Sequence, residues 1–301
     1  MASHIRELEK RNLIHCPKWM TSNIQYEIFF GSTAYGTSSD TSDCDIYAWT
    51  IPTKEIVFPH LQNSIVGFGK QPEKFEQYQQ HHVLDKDALG GKGREYDITC
   101  YGIVRYFQLC MENNPNMLET LFVPQHCVIH CSVIADMVRT NRELFLHKGA
   151  FYKYKSYAYN QLHKIRNKKD TQGKRKELIE LHGHDTKFSS HAVRLVNYCI
   201  QILTEHHIDM TKDVEHLKAI RRGEVHEEDI YKWFGEKELQ LEKLFTESTL
   251  QIKPDEDRIK NLLLQCLEHH YGSLEKCVVP QDKAEKAISE IAEIIQKYNI
   301  K

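Results

Sequence analysis

The chain has 301 residues, 41% of them apolar and 27% charged, and its formal net charge is −2. This composition excludes an intrinsically disordered chain, and the length is enough for two domains that each bury a core. No apolar run approaches the roughly 20 residues needed to cross a bilayer and the N-terminus is polar, so we expect a cytoplasmic protein with no membrane association and no secretory signal.

Short apolar runs separated by turn residues predict strands in the first half of the chain. The predicted strands are residues 24–30, 45–51, 65–68 and 95–100. From Tyr101 to Cys110 the apolar spacing becomes helical, and Asn114-Pro115 ends that predicted helix. Residues 128–134 are predicted as one more short strand or as the entry to a helix. Together these elements predict a small mixed β-sheet with helices.

The second half of the chain has the apolar spacing that is typical of helices. Apolar residues three and four apart recur in residues 154–165, 188–203, 262–267 and 284–298. The change from strand-like to helix-like sequence lies near Gly149. The expected fold class is therefore α+β, with the small mixed sheet in a first domain, residues 1–149, and a helical second domain, residues 150–301.

One motif connects a predicted strand with phosphate chemistry. The first strand runs into Gly31-Ser32, where backbone N–H groups at a helix start can approach phosphate oxygens and the Ser32 hydroxyl can add a donor. Asp43 and Asp45 are two apart on a predicted strand, so both carboxylates project from one face. Such a pair suits Mg²⁺, which shares its remaining positions with nucleotide phosphates, and a pair of ions supports phosphoryl transfer. The alternative is a simple turn before a solvated strand.

The Gly-Ser and Asp-x-Asp arrangement resembles the nucleotidyltransferase superfamily of DNA polymerase β. Five segments narrow the resemblance: residues 31–36, 42–45, 95–98, 114–119 and 184–195. They look like the branch of predicted nucleotidyltransferases associated with RNA ligases and RNA repair, over about residues 28–196. The resemblance implies an NTP substrate, Mg²⁺ or Mn²⁺ as cofactor, an RNA or tRNA acceptor, and an RNA ligase as partner.

The superfamily uses a third carboxylate on a neighbouring strand, and the resemblance assigns it to Asp97. Glu95 shares the same strand face at a spacing of two and is the rival candidate. The expected role of Asp97 is to hold the catalytic metal with Asp43 and Asp45 and to help deprotonate the attacking hydroxyl.

A predicted helix that Asp185 can cap carries Lys187, His191 and Arg194 on one face. From these residues alone, a solvated helix face is equally expected. The family resemblance implies that Lys187 and Arg194 contact nucleotide or RNA phosphates, Lys187 as a point charge and Arg194 through two parallel hydrogen bonds. A metal-dependent phosphohydrolase built on His184-Asp185 is disfavoured, because further ligands at suitable spacings are not evident.

Between Lys148 and Lys176 the sequence has ten Lys or Arg residues and one acid, Asp170. Proteins that bind single-stranded RNA use cationic side chains to contact the phosphate backbone and aromatic side chains to stack on the bases. The predicted RNA contacts are Lys168, Lys169, Lys174, Arg175 and Lys176. The alternative is a core helix that buries Tyr154 and Tyr157, followed by a solvated basic loop.

Other clusters of chemically active residues are less specific. The nine cysteines have no framework spacing, so we expect mostly reduced thiols in core positions. The segment from His126 to Cys131 has residue types that bind zinc. It also alternates like a strand and lacks a second ligand pair, so buried cysteines in a core strand are the favoured interpretation. His81-His82 is predicted to lie in a loop on the substrate side.

These observations lead to one expected function and two alternatives. We expect NMP transfer from an NTP to an acceptor hydroxyl, most readily an RNA or tRNA 3′ end in RNA repair, between a catalytic first domain and a substrate-binding second domain. One alternative is an enzyme with a protein or small-molecule acceptor, such as an aminoglycoside. The other is a nucleotide-binding module without catalysis, which has no need for three metal-binding carboxylates.

Overall fold

A computed structural model describes residues 3–38, 43–71, 73–167 and 174–277, and, near the C-terminus, residues 287, 288, 290–292 and 295. The strands are β1 (Ile24–Phe29), β2 (Cys44–Thr50), β3 (Gln77–Asp85), β4 (Arg94–Gly102) and β5 (Val128–Cys131). The helices of the first half are α1 (His4–Lys10), α2 (Lys18–Ser22), α3 (Gly31–Ala34), α4 (Lys54–Val57), α5 (Ala88–Gly91), α6 (Ile103–Met111), α7 (Pro115–Leu118) and α8 (Val133–Thr140). Those that follow are α9 (Gly149–Asn167), α10 (Lys174–His182), α11 (Thr186–Glu205), α12 (Val214–Arg221), α13 (Glu227–Glu247) and α14 (Glu256–Tyr271).

The strands form one five-stranded sheet in the order β3-β4-β2-β1-β5. β2 and β4 are parallel, and the other neighbouring pairs are antiparallel. The expected α+β class with a small mixed sheet is confirmed. Residues 128–134 were predicted as a short strand or as the entry to a helix, and they contain both. β5 is followed directly by Ser132, which caps α8 by accepting the Ala135 N–H.

One predicted strand is wrong, and one strand of the sheet was not predicted. Residues 65–68 form only an isolated bridge between Ile65 and Phe68, in a loop that the Gln71 side chain holds through hydrogen bonds to the backbone. β3 was not predicted, because its sequence is mostly Gln and His and its exposed edge position does not require apolar alternation.

Two hydrophobic clusters cover the two faces of the sheet. Cys44, Ile46 and Ile98 point to the face that packs against α1 and α2. The other face belongs to a large cluster that extends from Tyr26 to Leu267 and includes residues on both sides of Gly149. Asp45 and Asp97 alternate with the residues of the first cluster, so their side chains project from the opposite face. The division into domains at Gly149 stays a prediction.

Packing in the second half is centred on α11. This helix packs against α9, α12 and α13, and most of its residues are buried. In the described part of the chain, none of the helices combines the length and the apolar character that crossing a membrane would require.

Candidate active site

The turn between β1 and α3 lies directly against Asp45. Gly31 has a φ of +57°, and a Cβ built on it would be 2.0 Å from Oδ2 of Asp45. Both facts require glycine, because other residues rarely adopt this backbone conformation and a side chain would collide with the carboxylate. The Phe30 N–H also donates to the Asp45 carbonyl oxygen at 2.9 Å. Ser32, which is half-buried, follows in the first turn of α3.

Three carboxylates lie near one another at the centre of the sheet. Asp45 of β2 is the register partner of Asp97 on the parallel strand β4, and both are half-buried. Asp43 is exposed, just before β2. Burial raises the pKa of Asp45 to about 6; the charges of Asp97 and Asp43 add to this shift, whereas Lys187 and His81 oppose it. The sequence-predicted triad is therefore brought together, and its carboxylates repel one another.

The register distinguishes Asp97 from its rival Glu95. Asp97 lies opposite Asp45, whereas Glu95 is two residues earlier on β4 and its carboxylate is paired with the His82 ring. Asp97 therefore has the better position for the third carboxylate, although its role stays a prediction.

His81 and His82 lie in a β-bulge of β3 and not in the predicted loop. Gln80 pairs with Ile98 and Val83 with Tyr96, so both histidines oppose Asp97. The His82 N–H donates to Oδ1 of Asp97 at 2.8 Å, and Nδ1 of His81 is 3.5 Å from the same oxygen. The prediction of a loop at His81-His82 is wrong because the sequence does not indicate strand β3. Two adjacent histidines were the only sequence signal for these contacts.

Helix α11 brings Lys187 to the same place. Asp185 caps the helix by accepting the N–H groups of Lys187 and Phe188 at 3.0 and 3.1 Å, as expected from the sequence. The half-buried Lys187 carries one of the charges that lower the pKa of Asp45. A positive charge therefore lies beside the carboxylates, on the side where α11 begins.

Residues 3–265 match the family described as the RNA repair pathway DNA polymerase beta family. The chain belongs to this family. No curated protein matches the chain. Among solved structures, a nucleotidyltransferase-like protein from Exiguobacterium sibiricum is similar, with 10% identity, a TM-score of 0.28, and coverage of 80% of this chain and 73% of that chain. A similarity this weak supports no conclusion about the site.

Arg194, a second phosphate contact expected from the family resemblance, lies in the core instead. Its side chain is 4% exposed and forms an ion pair with Glu119, which is fully buried. The guanidinium carbon is 3.9 Å from the centre of the Tyr35 ring, and the Tyr35 hydroxyl donates to Oε2 of Glu119 at 2.9 Å. The expected phosphate contact by Arg194 is therefore wrong, since Glu119 and the ring already enclose the guanidinium.

The predicted RNA-binding segment is only partly described. Lys168 and Lys169 lie outside the described residues, and of Lys174 and Arg175 only the backbone, at the start of α10, is described. Lys176 is exposed and 3.7 Å from Glu180. RNA contact by these five residues stays a prediction.

Acids from elsewhere in the chain reduce the positive charge of α9. Lys155 is 2.7 Å from Glu238 of α13, and Lys153 is 3.4 Å from Glu112. A count of charges within residues 148–176 could not include these partners, because they are distant in sequence. The positive character of this segment is therefore weaker than its composition indicates.

The cysteines have the expected state. All nine are free thiols, and seven are buried, including Cys127. Among the residues that the structure describes, one group of three potential metal ligands has its ligand atoms within 4.8 Å of one another, namely His82, Glu95 and Asp97. The zinc alternative for residues 126–131 is thus not supported. Cys127 is buried, as expected, but it lies just before β5, and Cys131 within β5 is only half-buried.

Proposed function

We propose that this chain is a Mg²⁺-dependent nucleotidyltransferase that transfers an NMP from an NTP to an acceptor hydroxyl, with release of pyrophosphate. The observation that carries the proposal is the register of Asp45 opposite Asp97, with Asp43 nearby and the Gly31 turn in contact with Asp45. Membership of the RNA repair pathway DNA polymerase beta family supports the same reaction class.

The residues of the triad fit a hard divalent cation. Their oxygen donors are those that Mg²⁺ prefers, and the raised pKa of Asp45 results from burial and from the negative charges of Asp97 and Asp43. A cation would relieve this repulsion, so Asp43, Asp45 and Asp97 would hold it. When bound, it would supply Lewis-acid stabilisation of the charge that develops during phosphoryl transfer.

The chain's own groups have separate roles in the proposed reaction. The absence of a side chain at Gly31 keeps the turn close to Asp45, and Ser32 offers a hydroxyl donor for a phosphate oxygen. Lys187 supplies a positive point charge beside the carboxylates. The Asp97 carboxylate, which the His82 N–H holds through Oδ1, would accept the proton of the attacking hydroxyl.

RNA, such as a tRNA 3′ end, is the acceptor that we propose, with an RNA ligase as a partner in repair. Its support is the family's RNA repair pathway and the basic residues of the segment 168–176. A protein or small-molecule acceptor is the second candidate. The pairing of Lys153 and Lys155 with acids favours it, since it leaves less positive charge for an RNA backbone.

The test is incorporation of each α-labelled NTP, with Mg²⁺, into total RNA and separately into total protein. We expect label in RNA with wild type and none with Asp45→Asn, while Asp229→Asn, an exposed acid on α13, keeps full activity. Undiminished incorporation by Asp45→Asn would reject the site. Label in protein alone would replace RNA with the second candidate.

A further inference from the structure

The bulge of β3 brings two imidazoles to Asp97, and the proposed reaction has no role for their rings. Two residues on the bulged strand, His81 and His82, oppose a single residue on β4. His82 has a φ of 56°, a conformation that non-glycine residues adopt infrequently. Bulges beside active sites commonly re-aim side chains, and here the His82 ring pairs with Glu95 while Nδ1 of His81 is 3.5 Å from Oδ1 of Asp97.

The His82 side has the geometry of a small metal site. His82, Glu95 and Asp97 each offer one ligand atom, and these atoms all lie within 4.8 Å of one another. Metal bonds of roughly 2.0–2.2 Å to nitrogen and oxygen hold two ligand atoms at most about 4.4 Å apart, so the three side chains need only small adjustments to close on one ion. The side chains are 82%, 38% and 29% exposed, respectively, so water or a substrate oxygen has access to further coordination positions.

We propose that His82, Glu95 and Asp97 bind a divalent transition-metal ion beside the Asp43–Asp45–Asp97 triad, with Asp97 shared between the two sites. The imidazole sets the chemical class, because Mg²⁺ takes oxygen ligands whereas imidazole suits transition metals. Two carboxylates and one imidazole keep the site hard enough for Mn²⁺. The inference rests on the proposed function only through Asp97.

A simpler arrangement competes with this proposal. His82 and Glu95 form a hydrogen-bonded ion pair by themselves, and an ion pair needs no metal. The two arrangements differ in the effect of Mn²⁺: a metal site gives a defined stoichiometry that depends on all three side chains, whereas an ion pair gives none.

The experiment separates the new site from the triad. Mn²⁺ is titrated into the Asp43→Asn/Asp45→Asn double variant, which lacks two triad ligands but keeps Asp97, and free Mn²⁺ is followed by its electron paramagnetic resonance signal. We expect one Mn²⁺ per chain, which Mg²⁺ displaces poorly. Adding His82→Asn removes the imidazole while Asn tolerates the left-handed backbone, and Glu95→Gln removes a carboxylate without a backbone change.

Each added substitution should weaken Mn²⁺ binding by at least the roughly 10- to 100-fold that loss of an outer-shell partner costs. His163→Gln, which removes an exposed imidazole on α9, is the matched control and should leave binding unchanged. Circular dichroism confirms that each variant is folded.

Two results would overturn the inference: no retained Mn²⁺ in the double variant, or Mn²⁺ binding that His82→Asn and Glu95→Gln leave unchanged. Because the readout is metal binding, its outcome is separate from nucleotide transfer. A wild type that incorporates no NTP would reject the proposed function and leave a positive Mn²⁺ result intact.

Discussion

The buried pair of Arg194 and Glu119 makes a prediction about stability that distinguishes a core arginine from a phosphate-binding one. Removing one partner of a buried ion pair leaves an uncompensated charge and costs about 3–5 kcal/mol. Arg194→Met should cost this much, because Glu119 is fully buried and the Tyr35 hydroxyl that donates to it carries no compensating charge. Arg194→Met together with Glu119→Leu should recover most of the loss, since neither charge then remains.

The cost of Arg194→Met should also depend on pH. Burial already raises the pKa of Glu119, and Arg194 is the largest influence that lowers it. Without Arg194 the folded state therefore holds a proton on Glu119 at a pH where the unfolded chain has lost it. Stability then falls as pH rises, by at most about 1.4 kcal/mol per pH unit for one proton. The variant should be closest to wild type in acid and furthest from it in base.

Equilibrium urea unfolding at several pH values measures both effects. The matched control is Lys212→Met, which breaks an exposed pair with Glu205 at the other end of α11 and should cost about 0–1 kcal/mol. If Arg194→Met costs no more than this control but weakens NTP binding, Arg194 contacts phosphate and the burial argument is refuted.

Four further predictions address the site itself. Gly31→Ala should abolish nucleotide transfer, whereas Gly69→Ala, at a similar φ of +67° with no atom within 4 Å of its Cβ, should show only the backbone strain; kinetics and unfolding curves compare the two. Asp97→Asn should lower kcat far more than NTP affinity. If Glu95→Gln lowers kcat more than Asp97→Asn does, the assignment of the third carboxylate to Asp97 is rejected. Mg²⁺ affinity, measured by calorimetry, should fall as pH drops through about 6, because Asp45 has its pKa raised to about 6 and a protonated carboxyl is a poor ligand; a flat profile would contradict this. RNA affinity should fall with salt at a log–log slope of about 0.7 per phosphate contact, and a slope near zero in wild type would exclude RNA. A variant in which five basic residues are replaced together should flatten this slope and leave NTP binding unchanged. These residues are Lys168, Lys169, Lys174, Arg175 and Lys176.

The sequence was sufficient for elements whose residue pattern is determined by burial. β1, β2 and β4 contain apolar residues that pack on both sheet faces, so their positions were predicted to within a few residues. β3 is a polar edge strand, and its bulge depends on pairing with β4, which lies later in the chain. The contacts of His81 and His82 could therefore not be predicted without the sheet register.

Charge raised a similar difficulty in the second half. Lysines close together in sequence indicated a positive surface, but α13 brings Glu238 and Glu242 against Lys155. Local composition reports the charges that a segment contributes. The field at its surface also depends on the helices that pack beside it, and that information is tertiary.

Arg194 shows why a motif alone cannot assign roles within this site. Helical spacing put Lys187 and Arg194 on one face of α11. The two residues are seven positions apart, which is roughly 10.5 Å along the helix axis. The face is continuous, but its surroundings change along this length: Lys187 acts on Asp45, whereas Arg194 meets Glu119 and Tyr35.

The three residues of the buried group come from three separate segments that resemble the family. Tyr35 directly follows α3, Glu119 directly follows α7, and Arg194 lies in α11. Their hydrogen bond, ion pair and ring contact therefore join the turn after β1 to the helix that carries Lys187. A functional motif can thus combine residues that face the substrate with residues that hold the first group in place. Burial identifies Arg194 as one of the residues that hold others in place, because Glu119 and the Tyr35 ring enclose its charge.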